Sequence, residues 1–283
     1  MNGESGAANQ RRAPVNALVG PTLALLAVAL VAPPLAARQA PDPGGWRVPD
    51  LRVKGKKSPC EVHPETAAET AELWMIAREA LEGSKRTEPG APTLLVVKWR
   101  RRLGPRLDLR SERRDTSRLT TLHPFETEVP YNLESEGYIQ RRAWLMIFYG
   151  PDPGFLLSER FLRQHCFRRI AGEGANAGLV GLGFDPLPRQ NASDVSGVLW
   201  IDLAGDALHR VEYAWTSPPR EADAPGVGGF SVFARLASGG WILRQWNMRL
   251  PRFEASGFGY DLVGYTDEGG EVLAVGKSRP TRR

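Results

Sequence analysis

The residues that could do chemistry are few and scattered. His165 and Cys166 are adjacent, and a thiolate activated by an imidazole would be a nucleophile. Neighbours on a strand point to opposite faces, however, so adjacency alone builds no Cys-His dyad. His63, His123 and His209 are dispersed and read as ordinary polar positions rather than metal ligands. "GEGANA" at 172–177 fits a loose dinucleotide-binding pattern, but the strand-like "GLVGLGF" follows it. Without a helix N-terminus there is no phosphate site. "GEVLAVGKS" at 270–278 has one residue too many between its glycines for a phosphate-binding loop, and it lies on an expected strand. No G-x-S-x-G elbow supports a serine hydrolase. No catalytic residue, metal ligand or cofactor is therefore assigned.

Charge offers a different chemistry. Arginines cluster in "KWRRR" at 98–102, "ERR" at 112–114 and "QRR" at 140–142. Such clusters could meet acidic lipid or nucleic acid, or they could be solvated faces of strands. Glu65, Glu69, Glu72 and Glu79 form a carboxylate row that no histidine joins, which reads as the wet side of a helix.

Compartment narrows the choice. Arg11 and Arg12 precede an apolar run from Ala17 to Ala32, and "PPLAARQA" follows with small residues suited to cleavage after Ala37 or Ala40. Residues 1–39 thus read as a secretory signal peptide. The alternative, a membrane anchor, requires about 20 apolar residues, and this run is shorter and broken by Pro21, Pro33 and Pro34. Cleavage lowers the formal charge from +5 to +3, because three of the four charged residues lost are arginines. The product is expected in the periplasm or outside the cell, where nucleic acid is not a partner and no transmembrane segment remains. There the only two cysteines, Cys60 and Cys166, are expected to form a disulfide. "NAS" at 191–193 is a glycosylation acceptor in a eukaryotic host only.

The positioning elements follow from periodicity. Residues 40–59 are rich in proline, glycine and lysine and read as a linker. Residues 60–278 form a single α+β domain, with 279–283 as a tail. A long helix is expected over 64–82, with Pro64 in its first turn, Gly83 ending it, and Leu73, Trp74, Ala77 and Leu81 in its apolar stripe. "LLSERFLRQH" at 156–165 suggests a short second helix. Strands are expected around Gly104 and Pro105 in "TLLVVKWRRRLGPRLDLRSERR", in "AWLMIFY" at 143–149, in "CFRRI" and in "GLVGLGF". The last ninety or so residues read as an antiparallel meander, with turns at "LAGDA", "LASGGW" and "TDEGGE".

In that meander His209, Val211, Tyr213 and Trp215 should share a face, as should Phe230, Val232, Ala234 and Leu236, and Ile242, Trp246, Met248 and Leu250, with only Arg244 interrupting the last row. Val198–Ile201 and "AWLMIFY" are apolar on both sides and need cover on both. The expected architecture is a strongly curved antiparallel sheet, a half-barrel wrapping one long and one short helix. Its interior would be lined by Trp200, Tyr213, Trp215, Phe230, Val232, Trp246 and Met248, and Arg244 would face an anionic head group.

"GVLWIDLAGDALHRVEYAW" at 197–215 resembles a strand-turn-strand segment of secreted bacterial carboxypeptidase-regulatory-like domain proteins. "CEVHPETAAETAELWMIAREAL", "LLSERFLRQHCFRRI", "GLVGLGFDPLP" and "GGWILRQWNMRLP" fit in the same order, and both cysteines fall at matching positions. Members carry a small β-sandwich ahead of the first cysteine, and about twenty residues occupy that space here. More distantly, the C-terminal region is similar to periplasmic lipoprotein carriers, whose half-barrel offers an apolar cavity to acyl chains. These resemblances imply a non-enzymatic envelope protein that binds a lipid or other amphiphile. The alternatives are a structural module that binds an envelope protein partner and, last, a hydrolase with a site assembled from distant residues.

Overall fold

The computed structural model describes residues 68–85, 93–119, 130–142, 145–187, 192–219, 223–257 and 259–276. The expected signal peptide, the linker, Cys60, His63, Pro64, His123, Asn191 and the 279–283 tail lie outside the described residues.

The helical stripe forms as its spacing predicts. Helix α1 spans Ala68–Lys85 and buries Leu73, Trp74, Ala77, Ala80 and Leu81 almost completely. Gly83 does not end it. The helix runs two residues further, and a Cβ at Gly83 would stand 2.8 Å from Trp241 Cδ1, so the glycine permits close packing.

Strands β1 (Thr93–Leu103) and β2 (Leu109–Leu119) form the expected hairpin. Helix α2 (Pro130–Glu136) and strand β3 (Ile139–Arg142) follow. β4 (Leu145–Phe148) pairs with β3 alone, in a separate two-stranded sheet. Met146 and Phe148 on one side and Ile147 and Tyr149 on the other pack against the core, as a strand apolar on both sides requires, and only Leu145 is left 48% exposed.

Helices α3 (Pro153–Leu156) and α4 (Glu159–Gln164) follow, capped by Asp152 and Ser158, whose side chains accept from Phe155 N and Phe161 N. They replace the one short helix read from "LLSERFLRQH".

Seven strands complete the sheet: β5 (His165–Ala171), β6 (Val180–Pro186), β7 (Asp194–Asp202), β8 (Ala207–Thr216), β9 (Gly228–Arg235), β10 (Trp241–Ser256) and β11 (Gly259–Gly276). The order across the nine-stranded sheet is β2-β1-β11-β10-β9-β8-β7-β6-β5, antiparallel throughout. The C-terminal part is the expected meander, and the β1–β2 hairpin extends it beside β11.

The α+β class and the large antiparallel sheet are as expected, but the half-barrel is not found: no sheet is closed or strongly curled. The reason lies in coverage. α1 packs on α3, β5 to β8 and β10, while the β1–β2 arm and the far ends of β10 and β11 run past it, with no helix among the described residues to wrap.

Register gives the sheet two faces. Toward α1 point Phe184, Leu199, Val211, Tyr213, Trp215, Trp246 and Met248, all in the main core. Val198, Trp200, Glu212, Phe230, Asn247, Arg249 and Asp267 lie on the reverse face and are also buried. β7 is thus apolar on both sides, as its sequence predicts.

Two bulges shift the expected faces. One, where Trp200 pairs with Arg210 but Ile201 with Leu208, leaves His209 as the extra residue, exposed instead of in line with Val211. The other, at Arg244, puts Trp241 and Leu243 in the core in place of Ile242.

"TDEGGE" is not a turn at all. It lies inside the 18-residue strand β11. Gly269 is partnered with Trp99 on β1 and Gly270 with Trp246 on β10. A Cβ on Gly269 would come within 2.8 Å of the Trp99 ring, and one on Gly270 within 2.4 Å of the Trp246 ring. The paired glycines make room for one indole on each face of the sheet.

Candidate functional site

Where the sheet outruns its helices, an open cleft of about 840 Å³ lies between the β3–β4 hairpin and the far ends of β1, β10 and β11. Its location follows from register. Arg100 and Arg102 alternate on one face of β1, opposite Glu268 and Thr266 of β11, and Leu250 pairs with the same Thr266 from the other side. The β3–β4 hairpin contributes Arg141, Leu145, Met146 and Phe148, and β10 adds Arg252 and Phe253.

The cleft is amphipathic. Leu145, Met146, Phe148, Leu250 and Phe253 supply its apolar wall, and four arginines share its lining with a single carboxylate, Glu268. Arg100 Nη2 lies 2.5 Å from Glu268 Oε1, so this pair is matched. Arg100 is exposed and Glu268 half-buried, and a pair so open to solvent contributes little to stability. Four arginines against one carboxylate make the lining net positive by composition.

None of the eight residues proposed from sequence lines this cleft. Tyr213, Trp215, Trp246 and Met248 are packed in the core with α1. Trp215 Nε1 donates to Tyr149 O at 3.0 Å, and its ring meets Phe148 edge-on at 5.2 Å. Trp200, Phe230 and Val232 lie together on the reverse face, where Trp200 Nε1 donates to Glu212 Oε2 at 2.8 Å. Arg244 stands at its bulge, 3.8 Å from Glu271. Four of these residues therefore share the helix-covered face and three the other.

The histidine beside the cysteine is structural. His165 is buried, with Nδ1 3.0 Å from Phe161 O and Nε2 3.1 Å from Val195 O, while Asp194 Oδ1 is 3.4 Å from Nε2. Cys166 points to the opposite face, across from Asp185 on β6. Burial pushes the Asp185 carboxyl above its ordinary range, against the opposing pull of Arg168 and His165. On the exposed hairpin, hydrogen bonding from Arg114 is the main reason that Glu112 titrates below its ordinary range, against the opposing push of burial and with the charge of Arg101 adding to the lowering. Among the described residues, no group of three or more His, Cys, Asp or Glu is placed to hold a metal ion.

The arginines of the cleft were legible as clusters, since "KWRRR" and "QRR" carry three of the four. What sequence reading lacked was the pairing of β1 with β11, which sets these clusters around one space. No protein-family model matches the chain, and no curated protein or solved structure matches it either. Among the described residues, no helix is long and apolar enough to cross a membrane.

Proposed function

We propose that the chain is an exported, non-enzymatic protein of the cell envelope that holds an anionic amphiphile in the arginine-bordered cleft. One observation carries this reading: an apolar wall and a surplus of guanidinium groups share one open space. Guanidinium presents paired donors to a carboxylate or phosphate, and the wall suits an alkyl or acyl chain. The apolar run near the N-terminus and the resemblance to secreted proteins support export, and a Cys60–Cys166 disulfide belongs to the same reading.

Mass spectrometry tests it on protein recovered from an oxidising compartment without reduction. Under native conditions a bound mass is expected, released on denaturation and assignable to an acidic lipid. A clean apo mass, with no uptake of added acidic amphiphile, overturns the carrier reading.

A second reading has its own observation. β2 is an edge strand exposed along nearly all of its eleven residues, so it could pair with a strand of an envelope protein partner. Cross-linking from β2 to one defined partner, with no lipid retained, would favour that interaction module.

A further inference from the structure

The arginines beyond the cleft point to a second surface. β1 ends at Leu103, opposite Tyr265 of β11, and from there β10 and β11 run on to their own tip at Ser256 and Gly259. Both hairpin tips therefore project from the same end of the sheet, at the mouth of the cleft.

That end combines two properties that rarely coincide on a solvated surface. Of the eight large apolar side chains most exposed among the described residues, four are here: Leu107 at 37%, Leu109 at 53%, Leu145 at 48% and Tyr260 at 54%. Leu107 also sits at the β1–β2 turn with φ 65°, a backbone state that a leucine adopts at a cost. The β1–β2 arm is strongly basic, with nine lysines and arginines against three acids over residues 98–118, while the β10–β11 tip beside Tyr260 carries the exposed cross-strand acids Glu254 and Asp261. Arg113 is cross-strand from Arg100, a like-charge neighbour whose own carboxylate partner, Glu268, lies on the other side on β11. Arg106 lies in the turn beside Leu107. Arg110 is held 2.7 Å from Asp108.

We infer that this end of the sheet docks on an anionic lipid bilayer, the leucines of the β1–β2 tip entering the headgroup layer and Arg106 and Arg113 meeting lipid phosphates. Charge complementarity selects the occupant. A neutral protein surface would cover the leucines but leave the basic excess of the β1–β2 arm unanswered, whereas a bilayer rich in acidic lipid answers both. Docking here places the mouth of the cleft against the membrane. It goes beyond the amphiphile reading and does not require the cleft to be filled.

The test is sedimentation of the full chain with vesicles of phosphatidylcholine alone and with equal parts phosphatidylglycerol, at low and high salt. Both vesicle types see the same N-terminal apolar segment, so the ratio of the two partition constants isolates the anionic contribution. We expect that ratio to exceed about tenfold at low salt and to fall toward one at high salt. Arg106→Ser/Arg113→Ser should lower it toward one, at about fivefold per basic residue removed. Leu107→Ser/Leu109→Ser should weaken binding to both vesicle types.

These four residues do not line the cleft, so retention of a native ligand, read by native mass spectrometry, should be unchanged. A ratio near one for the parent chain, or variants that bind like it, overturns the docking surface. Loss of the cleft ligand alone, with vesicle binding intact, would count against the amphiphile reading instead.

Discussion

Arg249 and Asp267 face each other across β10 and β11 in a bidentate pair, Nε to Oδ1 at 2.7 Å and Nη2 to Oδ2 at 2.8 Å. Both are about as buried as the apolar core, at 2% and 3% exposure. Removing one partner strands the other charge, so Asp267→Asn is expected to cost about 3–5 kcal/mol. Replacing both, as in Arg249→Met/Asp267→Leu, is expected to leave stability within about 1 kcal/mol of the parent or to raise it. Urea denaturation of the three proteins checks this. A double variant as weak as the single one would mean that the pair contributes net stability.

The glycines of "TDEGGE" give a second prediction. Gly270→Ala puts a methyl into the ring of Trp246 and close to Val97 O, so a loss of about 1–3 kcal/mol is expected. Trp246→Leu alone leaves a cavity beside α1 and β10. In combination the two should cost less than their sum, because the smaller side chain frees space for the methyl. Simple additivity in a double-mutant cycle would show that the ring is not what excludes a side chain at this position.

What the sequence made legible, and what it did not, divides along physical lines. The α1 stripe, the β1–β2 hairpin and the alternation of Val211, Tyr213 and Trp215 are local, and each followed from periodicity. The faces of His209 and Ile242 were misjudged because a single bulged residue reverses parity without a composition signal. The Gly-Gly pair read as a turn because its reason is the bulk of two tryptophans on neighbouring strands. The aromatic row proposed as a ligand lining turned out to be split between two faces of an open sheet. The cleft went unseen because it depends on β1 lying beside β11, a pairing between segments about 170 residues apart in sequence.

Asp185 should make stability depend on pH. Its folded pKa is raised above 3.8, so the folded state resists ionisation that the unfolded chain accepts freely. The resulting penalty is absent well below pH 3.8, grows as pH rises through the unfolded and then the folded pKa, and persists at neutrality. Asp185→Asn removes it, and its stability relative to the parent should be higher at neutral pH than in acid. Thermal melts across that range check the sign. A relative stability that rises as pH falls would show that the Arg168 pair, at 3.2 Å and about a third exposed, outweighs the desolvation.

The disulfide makes a prediction that needs no ligand. Protein collected from an oxidising compartment should be two hydrogens lighter before reduction than after it, with no thiol open to alkylation in between. Closing so long a loop is worth about 4–5 kcal/mol in the chain-entropy model, so Cys166→Ser should lower the denaturation midpoint markedly and reduction should erase the difference. Two alkylatable thiols in unreduced protein would remove the bridge and count against the oxidising compartment from which it was expected.

The cleft predicts two independent dependences for one ligand. Arg102→Ser/Arg252→Ser removes half of its guanidinium groups while leaving the Arg100–Glu268 pair in place. Affinity for an acidic amphiphile should then fall about tenfold or more at low salt, with a smaller difference at high salt. Chain length should act separately. Each buried methylene contributes about 0.8 kcal/mol, so affinity for a homologous fatty acid series should climb about fourfold per carbon until the wall of Leu145, Met146 and Leu250 is covered. The arginine variant should lower that line without changing its slope. A flat line in the parent protein would mean that the cleft reads only charge, and the amphiphile reading would give way to a simple anion site.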